Sequence, residues 1–152
     1  MKSDDVRLIP IANGTVLDHL PTGSALKVLE ILGLEKPEGA VTIALNTESK
    51  GLGKKDLVFI EGKELSEEEI GKIGLIAEGA TLNLIRDHAV KKKGKVVMPD
   101  HADGLLTCMN PKCISVIEAL PSRFFISKKP LRAKCIYCEK QMNGQEIINA
   151  VR

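Results

Sequence analysis

Four cysteines, Cys108, Cys113, Cys135 and Cys138, constrain the fold of this chain more than any other feature. They are its only cysteines and form two knuckles, Cys-Met-Asn-Pro-Lys-Cys and Cys-Ile-Tyr-Cys, with residues 114–134 between them. Short tight turns of this kind aim paired thiolates at one point, which is how a tetrahedral zinc ion takes its ligands. With no cysteine left over, the pattern predicts one closed structural zinc site with no open position for chemistry. Two disulfides are the competing reading. The N-terminus lacks a charged-then-apolar signal pattern, and no apolar run approaches a membrane span. The expected compartment is therefore the cytoplasm, where thiols stay reduced, and spacing and compartment together favour metal.

The rest of the composition narrows the function. A chain of 152 residues holds one domain or two small ones. Aromatics make up 3% and tryptophan is absent, so cores must be aliphatic and no stacking platform for single-stranded nucleic acid is expected. The net charge of +2 is too small to argue for a nucleic-acid or membrane partner. Residues 99–152 carry eight Lys/Arg against five Asp/Glu. Four thiolates around one divalent ion add about −2 to that segment, which removes most of its basic bias.

Hydrophobic patterning gives the order of elements. Arg7–Ala12 reads as a short strand with Pro10 at an edge or bulge, followed by an Asn13-Gly14 turn. Ser24–Leu34 carries Ala25, Val28, Leu29 and Leu32 at helical spacing, ended by Gly33 and Pro37. Val41, Ile43 and Leu45 alternate as a strand. A turn-rich loop over residues 46–53 leads to a strand over 56–61. Ser66 and Glu69 form a capping box that opens a second helix with Ile70, Ile73 and Ile76 on its apolar face. Gly71 and Gly74 weaken that helix. A strand over 80–86 and a short extension over 88–91 follow, then a basic linker, Lys91-Lys92-Lys93-Gly94-Lys95.

The order β-α-β-β-α-β predicts an α+β ferredoxin-like sandwich with two helices on one sheet face and the other face open. The domain boundary is expected over 99–104, giving domains 1–98 and 99–152. The second is read as small and all-β, with strands around 105–107, 115–118, 123–126, 132–134 and 146–151. So small a set of strands buries too little apolar surface to stand alone. A structural zinc ion supplies the deficit, on the order of 10 kcal/mol.

The string Asn13-Gly14-Thr15-Val16-Leu17-Asp18-His19-Leu20-Pro21 resembles the opening of aspartate carbamoyltransferase regulatory chains. The resemblance continues through Thr42-Ile43-Ala44-Leu45-Asn46, Gly53-Lys54-Lys55-Asp56-Leu57 and Ala80-Thr81-Leu82-Asn83. It ends in the two knuckles, Cys108-x4-Cys113-Ile114-Ser115 and Cys135-x2-Cys138-Glu139-Lys140. It implies an N-terminal nucleotide-binding domain and a C-terminal zinc domain that docks on the catalytic chain. It also implies regulatory homodimers through the N-terminal domains, three of which bridge two catalytic trimers. Effectors of the CTP, ATP and UTP type would shift the enzyme between low- and high-activity states, a difference in effector affinity between those states. The regulatory chain itself performs no chemistry.

What the resemblance implies for single residues is specific. Asp18 and His19, by themselves a turn acceptor and a surface residue, match a pair that contacts the nucleotide's amino and phosphate groups. Leu8, Pro10, Ile11 and Val16 match positions lining the same pocket, and Asn83 and Ile85 match residues beside base and ribose. Lys93 matches a phosphate-binding lysine, and charge-assisted bonds to phosphate are among the stronger kinds. His88 stands where the family often has tyrosine. Phe59 stands where the family usually has a lysine touching ribose and base, which predicts altered effector affinity or selectivity. Asn110, Lys112 and Glu139, which alone read as turn residues, match polar positions that bridge to the catalytic chain. The competing classes are a zinc-ribbon nucleic-acid-binding protein, disfavoured by charge and scarce aromatics, and an independent enzyme. For the latter no nucleophile and base pair can be assembled once the cysteines are committed to metal.

Overall fold

The computed structural model describes residues 11–49 and 53–151. These divide into two compact units, one of the chain up to Leu65 with Gly79–Lys95, the other of Ser66–Glu78 with Val96 onward.

The first unit is a five-stranded sheet in the order β2-β3-β1-β4-β5. Its strands are β1 (Gly14–Leu20), β2 (Val41–Ser49), β3 (Gly53–Glu61), β4 (Thr81–Arg86) and β5 (Ala89–Lys95), with helix α1 (Ala25–Ile31) between β1 and β2. Every neighbouring pair is antiparallel. The order β2-β3-β1-β4 is that of the ferredoxin-like sandwich expected from the sequence, and β5 extends it by one strand. β4 and β5 are joined through Asp87 and His88, with φ of 52° and 64°. Two consecutive left-handed residues are what a two-residue hairpin turn needs to match strand twist.

Alternation along β3 sorts its side chains. Asp56, Val58 and Ile60 take one face and Lys55, Leu57 and Phe59 the other. The first face is the helix side, where Leu17, Val58 and Ile60 are buried along with Ala25 and Val28 of α1. Asp56 is fully buried there. Its Oδ2 accepts the backbone N–H groups of Gly23 (2.8 Å) and Ala25 (3.2 Å), and its Oδ1 that of Asn46 (2.9 Å). Ser24, the N-cap of α1, makes no side-chain capping bond. The cap for α1 thus comes from a neighbouring strand, satisfying N–H groups that helix geometry leaves without partners.

Several local expectations differ from the structure, each for a physical reason. The first described strand is Gly14–Leu20 rather than 7–12. Gly14 opens it at φ 145°, where only glycine fits, since a Cβ would meet the Ile60 carbonyl oxygen at 2.1 Å. Of the expected strand over 7–12, residues 7–10 lie outside the described chain. The loop expected over 46–53 is largely strand: Thr47, Glu48 and Ser49 pair with Lys55, Lys54 and Gly53. Asn46, at φ 59°, marks a register shift inside the ladder rather than its end. The basic linker is the exposed edge strand β5, where lysines discourage pairing with a further chain. The sheet face expected to be open carries a buried cluster of Ile11, Val16, Leu57, Phe59 and Ile85.

The second unit holds a four-stranded antiparallel sheet, β6 (His101–Asp103), β7 (Arg123–Ser127), β8 (Arg132–Cys135) and β9 (Gln141–Met142), in that order. Phe124, Ala102, Ala133 and Cys135 point to its buried side. Helices α2 (Glu67–Ile76), α3 (Ile114–Ile117) and α4 (Gly144–Ala150) complete it. The Ser66–Glu69 capping box forms as expected. Two expected strands are helices instead. Residues 115–118 fall in α3 and its C-cap, started by the Cys113 turn. Residues 146–150 belong to α4, which Asn143 and Glu146 open with a second capping box. Of the strand expected over 105–107, only a bridge from Leu106 to Val151 is present. Gly71 and Gly74 of α2 are sites of close approach: a Cβ on Gly71 would lie 3.2 Å from Leu105 Cδ1, and one on Gly74 2.5 Å from the Val97 carbonyl oxygen.

Candidate functional site

Each unit gathers one group of the residues singled out in the sequence. In the second unit the knuckles bring the four thiols together as the spacing predicted. The Sγ atoms of Cys108, Cys113, Cys135 and Cys138 all lie within 4.8 Å of one another. Cys108 and Cys138 are 3.6 Å apart, and Cys113 and Cys135 3.7 Å. A zinc–sulfur bond of about 2.3 Å in tetrahedral geometry gives a sulfur–sulfur edge of about 3.8 Å, so the donor set fits one zinc ion held by all four cysteines.

The backbone supports thiolates here. The N–H of Asn110 faces Cys108, that of Ser115 faces Cys113, those of Cys138 and Tyr137 face Cys135, and that of Lys140 faces Cys138. The Ser115 hydroxyl lies 3.0 Å from Cys113 Sγ. Burial opposes ionisation of Cys113, but the Ser115 hydroxyl and N–H and the adjoining thiols outweigh it and lower its pKa to about 6. Cys138 is lowered too, the Lys140 N–H and the Asn110 side chain overcoming burial. Cys108 is pushed up to about 12, first by burial and then by the neighbouring thiols. Cys135 is raised, again chiefly by burial. Thiols that share a site cannot all ionise without a cation to neutralise them, and a divalent ion supplies that charge. Asn110 serves the turn directly, its Oδ1 accepting the Lys112 N–H at 3.1 Å.

In the first unit, register collects the other predicted residues on one sheet face. Val16 lies between Phe59 of β3 and Asn83 of β4, and Asp18 opposite Thr81. Asn83 in turn faces Lys93 of β5, and Thr81 faces Lys95. Ile85 and Ile11 belong to the buried cluster with Val16, Leu57 and Phe59. Asp18 and His19, read by themselves as a turn acceptor and a surface residue, lie in the bulge where the β1–β3 register shifts between Leu17 and Leu20. His19 takes φ 58° there, its N–H bonded to Asp18 Oδ1 at 2.6 Å and its Nδ1 3.1 Å from Thr81 Oγ1. Bulges re-aim side chains, and this one brings the imidazole to Thr81. Asn83 is buried, with its Nδ2 donating to the Val16 carbonyl at 3.4 Å.

The face therefore has an apolar cluster around Ile11, Val16, Phe59 and Ile85 and a polar end around Asp18, His19, Thr81 and Lys95, with Asn83 and Lys93 in the same row as Val16. Leu8 and Pro10 lie outside the described residues. His88 sits in the β4–β5 turn, its N–H bonded to the Ala12 carbonyl at 2.9 Å. Sequence reasoning missed Lys55, a nearly buried lysine whose Nζ lies 2.9 Å from Asp18 Oδ1. Its signal was available, since Lys55 has the same strand parity as Leu57 and Phe59. Thr81 and Lys95 were missed because only the β4–β5 register places them.

No helix among the described residues is long and apolar enough to cross a membrane. A ferredoxin-like sheet joined to a closed four-thiolate centre defines a metal-bearing α+β protein whose metal is structural. Comparison with known sequences narrows this class. Residues 6–97 match the family model described as aspartate carbamoyltransferase regulatory chain, allosteric domain, and residues 100–148 the one described as the metal binding domain of the same chain. Among named aspartate carbamoyltransferase regulatory chains, that of Thermococcus gammatolerans is 50% identical over 146 residues, covering 95% of this chain and 97% of the relative. That of Pyrococcus furiosus is 49% identical over 147 residues, with 95% and 97% covered. That of Korarchaeum cryptofilum is 47% identical over 142 residues, with 91% and 90% covered. The chain belongs to the family of aspartate carbamoyltransferase regulatory chains, which are non-catalytic, with an allosteric domain and a metal-binding domain.

Proposed function

We propose that the sheet face of β1, β3, β4 and β5 binds nucleoside triphosphate effectors of the CTP and ATP type, with UTP a third, and that the chain transmits their presence to catalytic chains of aspartate carbamoyltransferase. The observation that carries this reading is the register that sets Val16, Asp18, Thr81, Asn83, Lys93 and Lys95 on one face. Its apolar cluster suits a base and ribose. Lys93 and Lys95 are exposed, and a triphosphate with about four negative charges gains most from such ammonium groups. His19 adds a ring donor, and Asn83 an amide beside the base. In this reading Leu8, Ile11, Val16, Asp18, His19, Asn83, Ile85 and Lys93 bind the effector within domain 1–98, and Lys55 holds Asp18 in place.

Domain 99–152 docks on the catalytic chain. Met109, Ile114, Val116, Ile117 and Leu120 are exposed on or beside the first knuckle, Ile117 at 67%. Contiguous exposed apolar groups of this kind mark interaction surfaces. Asn110, Lys112 and Glu139 supply polar contacts around them, and the metal shapes the turns that present both. The working form is a cytoplasmic hetero-oligomer in which regulatory homodimers bridge catalytic trimers.

The test is a carbamoyltransferase assay of the catalytic trimer with and without this chain, across CTP, ATP and UTP, together with calorimetric titration of each nucleotide into the isolated chain. The expected result is stoichiometric co-purification and a nucleotide-dependent shift in the aspartate response. Co-assembly without any nucleotide binding would leave a bridging role only.

A further inference from the structure

We infer that Ser115 is the positioning residue that ties the apolar docking patch to the metal centre, an inference that rests on the docking reading of that patch. Helix α3 is a single turn, Ile-Ser-Val-Ile, and its burial pattern is inverted. Ile114, Val116 and Ile117 are exposed, while Ser115 is 5% exposed and the one buried residue of the turn. A turn that stood on its own apolar contacts would bury its isoleucines and face its serine to water. The inversion follows from what each side of the turn serves, with a metal-ligating thiol inward and a partner's surface outward.

The hydroxyl holds the inward side. Ser115 Oγ lies 3.0 Å from Cys113 Sγ, which satisfies a polar group that burial cuts off from water. A zinc-bound thiolate carries no proton, so the hydroxyl donates and the sulfur accepts, a charge-assisted bond of the stronger kind. Cys113 also starts the turn, its carbonyl accepting the N–H groups of Val116 at 2.9 Å and Ile117 at 3.0 Å. The far end comes back to Ser115. Ala119, at φ 53°, lets the Leu120 N–H reach the Ser115 carbonyl at 2.9 Å, the closing bond of a Schellman turn. Ser115 thus joins a metal ligand by its side chain to the end of the turn by its backbone. One turn of helix is too short to persist on its own hydrogen bonds, so its position is set by what Ser115 is fastened to. With the Ser115–Cys113 bond in place, Ile114, Val116, Ile117 and Leu120 are presented as one surface. Without that bond the metal stays, but the patch loses its fixed position.

The test uses the full chain with Ser115→Ala or Ile117→Ser, beside the unsubstituted chain. Three quantities are read: zinc affinity by competition with a chelator, the sulfur-to-metal charge-transfer band with cobalt(II) in the site, and binding of the catalytic trimer at saturating zinc. Hydrogen bonds to metal ligands are worth about ten- to hundredfold in affinity, so Ser115→Ala is expected to weaken zinc binding at least about tenfold. Losing the bond raises the energy of the sulfur lone pair, which moves the cobalt band to longer wavelength. Loss of packing alone would leave the band where it is. Trimer binding by Ser115→Ala should fall at least about threefold with every site filled, because the patch must then be ordered on binding. Ile117→Ser, on the exposed side, should weaken trimer binding with the band and zinc affinity unchanged. An unmoved band in Ser115→Ala overturns the inference. So does weaker zinc binding with unchanged trimer binding at saturating zinc, which would confine Ser115 to the metal. Unchanged trimer binding by Ile117→Ser overturns the docking reading of the patch and this inference with it, even where Ser115→Ala moves the band.

Discussion

Gly71 and Gly74 should respond in opposite directions to the same substitution. Both lie inside α2, and helix propensity alone credits glycine to alanine with about 1 kcal/mol at either position. Their surroundings differ. At Gly71 the new methyl group would stand 3.2 Å from Leu105 Cδ1, the far end of a flexible side chain that can move by a few tenths of an ångström. At Gly74 it would stand 2.5 Å from the Val97 carbonyl oxygen and 3.3 Å from the carbonyl carbon, with Pro99 Cδ at 3.4 Å. The two Val97 atoms are backbone, in a segment flanked by the buried side chains of Val96 and Met98. Overpacking against such a wall costs about 1–3 kcal/mol. The expectation is a gain of roughly 0.5 kcal/mol for Gly71→Ala and, after the helix gain is set against overpacking, a net loss of about 1 kcal/mol for Gly74→Ala, a gap of about 1.5 kcal/mol. Urea titrations followed by circular dichroism, with zinc in slight excess, measure the gap directly. Equal stabilisation by both substitutions would refute the close approach of residue 97 to α2. Equal destabilisation would refute the distinction between a yielding side chain and an unyielding backbone.

Asp56→Ala should cost about 3–5 kcal/mol, because it strands backbone N–H groups that a carboxylate now satisfies; Asp56→Asn should cost nearly as much by turning an NH2 toward Gly23 and Ala25, and a denaturation midpoint near that of the unsubstituted chain would discount the strand-supplied cap. Removing zinc with a chelator should unfold the metal-bearing segment, the ion supplying on the order of 10 kcal/mol; catalytic-chain binding should vanish while calorimetry still detects nucleotide binding, and an intact complex after chelation would contradict this. Phe59→Lys buries a charge in a site 8% exposed and should destabilise by several kcal/mol, whereas Phe59→Leu should cost about 1 kcal/mol and change the ratio of CTP to ATP affinity; an unchanged ratio in a folded Phe59→Leu protein counts against a role for the ring in selectivity. Lys93→Ala should weaken triphosphate binding about tenfold, with a smaller effect on monophosphates; equal losses for both, by calorimetry, would remove Lys93 from the phosphate end.

The cysteine spacing could be read because a knuckle is local. A short turn determines where its own two sulfurs point, and the ion joins one turn to the other. The βαββαβ order could likewise be read from periodicity and caps such as the Ser66–Glu69 box. What escaped was whatever depends on a neighbour distant in sequence. Asn46 carries a turn signal, but its N–H is taken by Asp56 and the ladder continues past it. The lysines of residues 91–95 resemble a solvated linker until β4 lies beside them to make a strand. Gly71 and Gly74 look like weak helix formers until Leu105 and Val97 come close.

The sheet face of β1, β3, β4 and β5 shows the same division. Alternation along β3 would have been enough to place the missed Lys55 with Leu57 and Phe59, since parity is a local property. Nothing local says that His19 sits in a bulge, and without the bulge its ring would not be aimed at Thr81. A one-residue slip in that ladder would turn Asp18 to the helix side and bury its charge against Val28 and Val58. The left-handed φ of His19 costs about 1–3 kcal/mol for a residue with a Cβ. Its neighbours offset that cost through the Asp18 carboxylate, which accepts the His19 N–H and pairs with Lys55. The chain thus holds a strained backbone at the point where the sheet presents a carboxylate, an imidazole and a hydroxyl together. A strand required only to close a core would have no need of that strain.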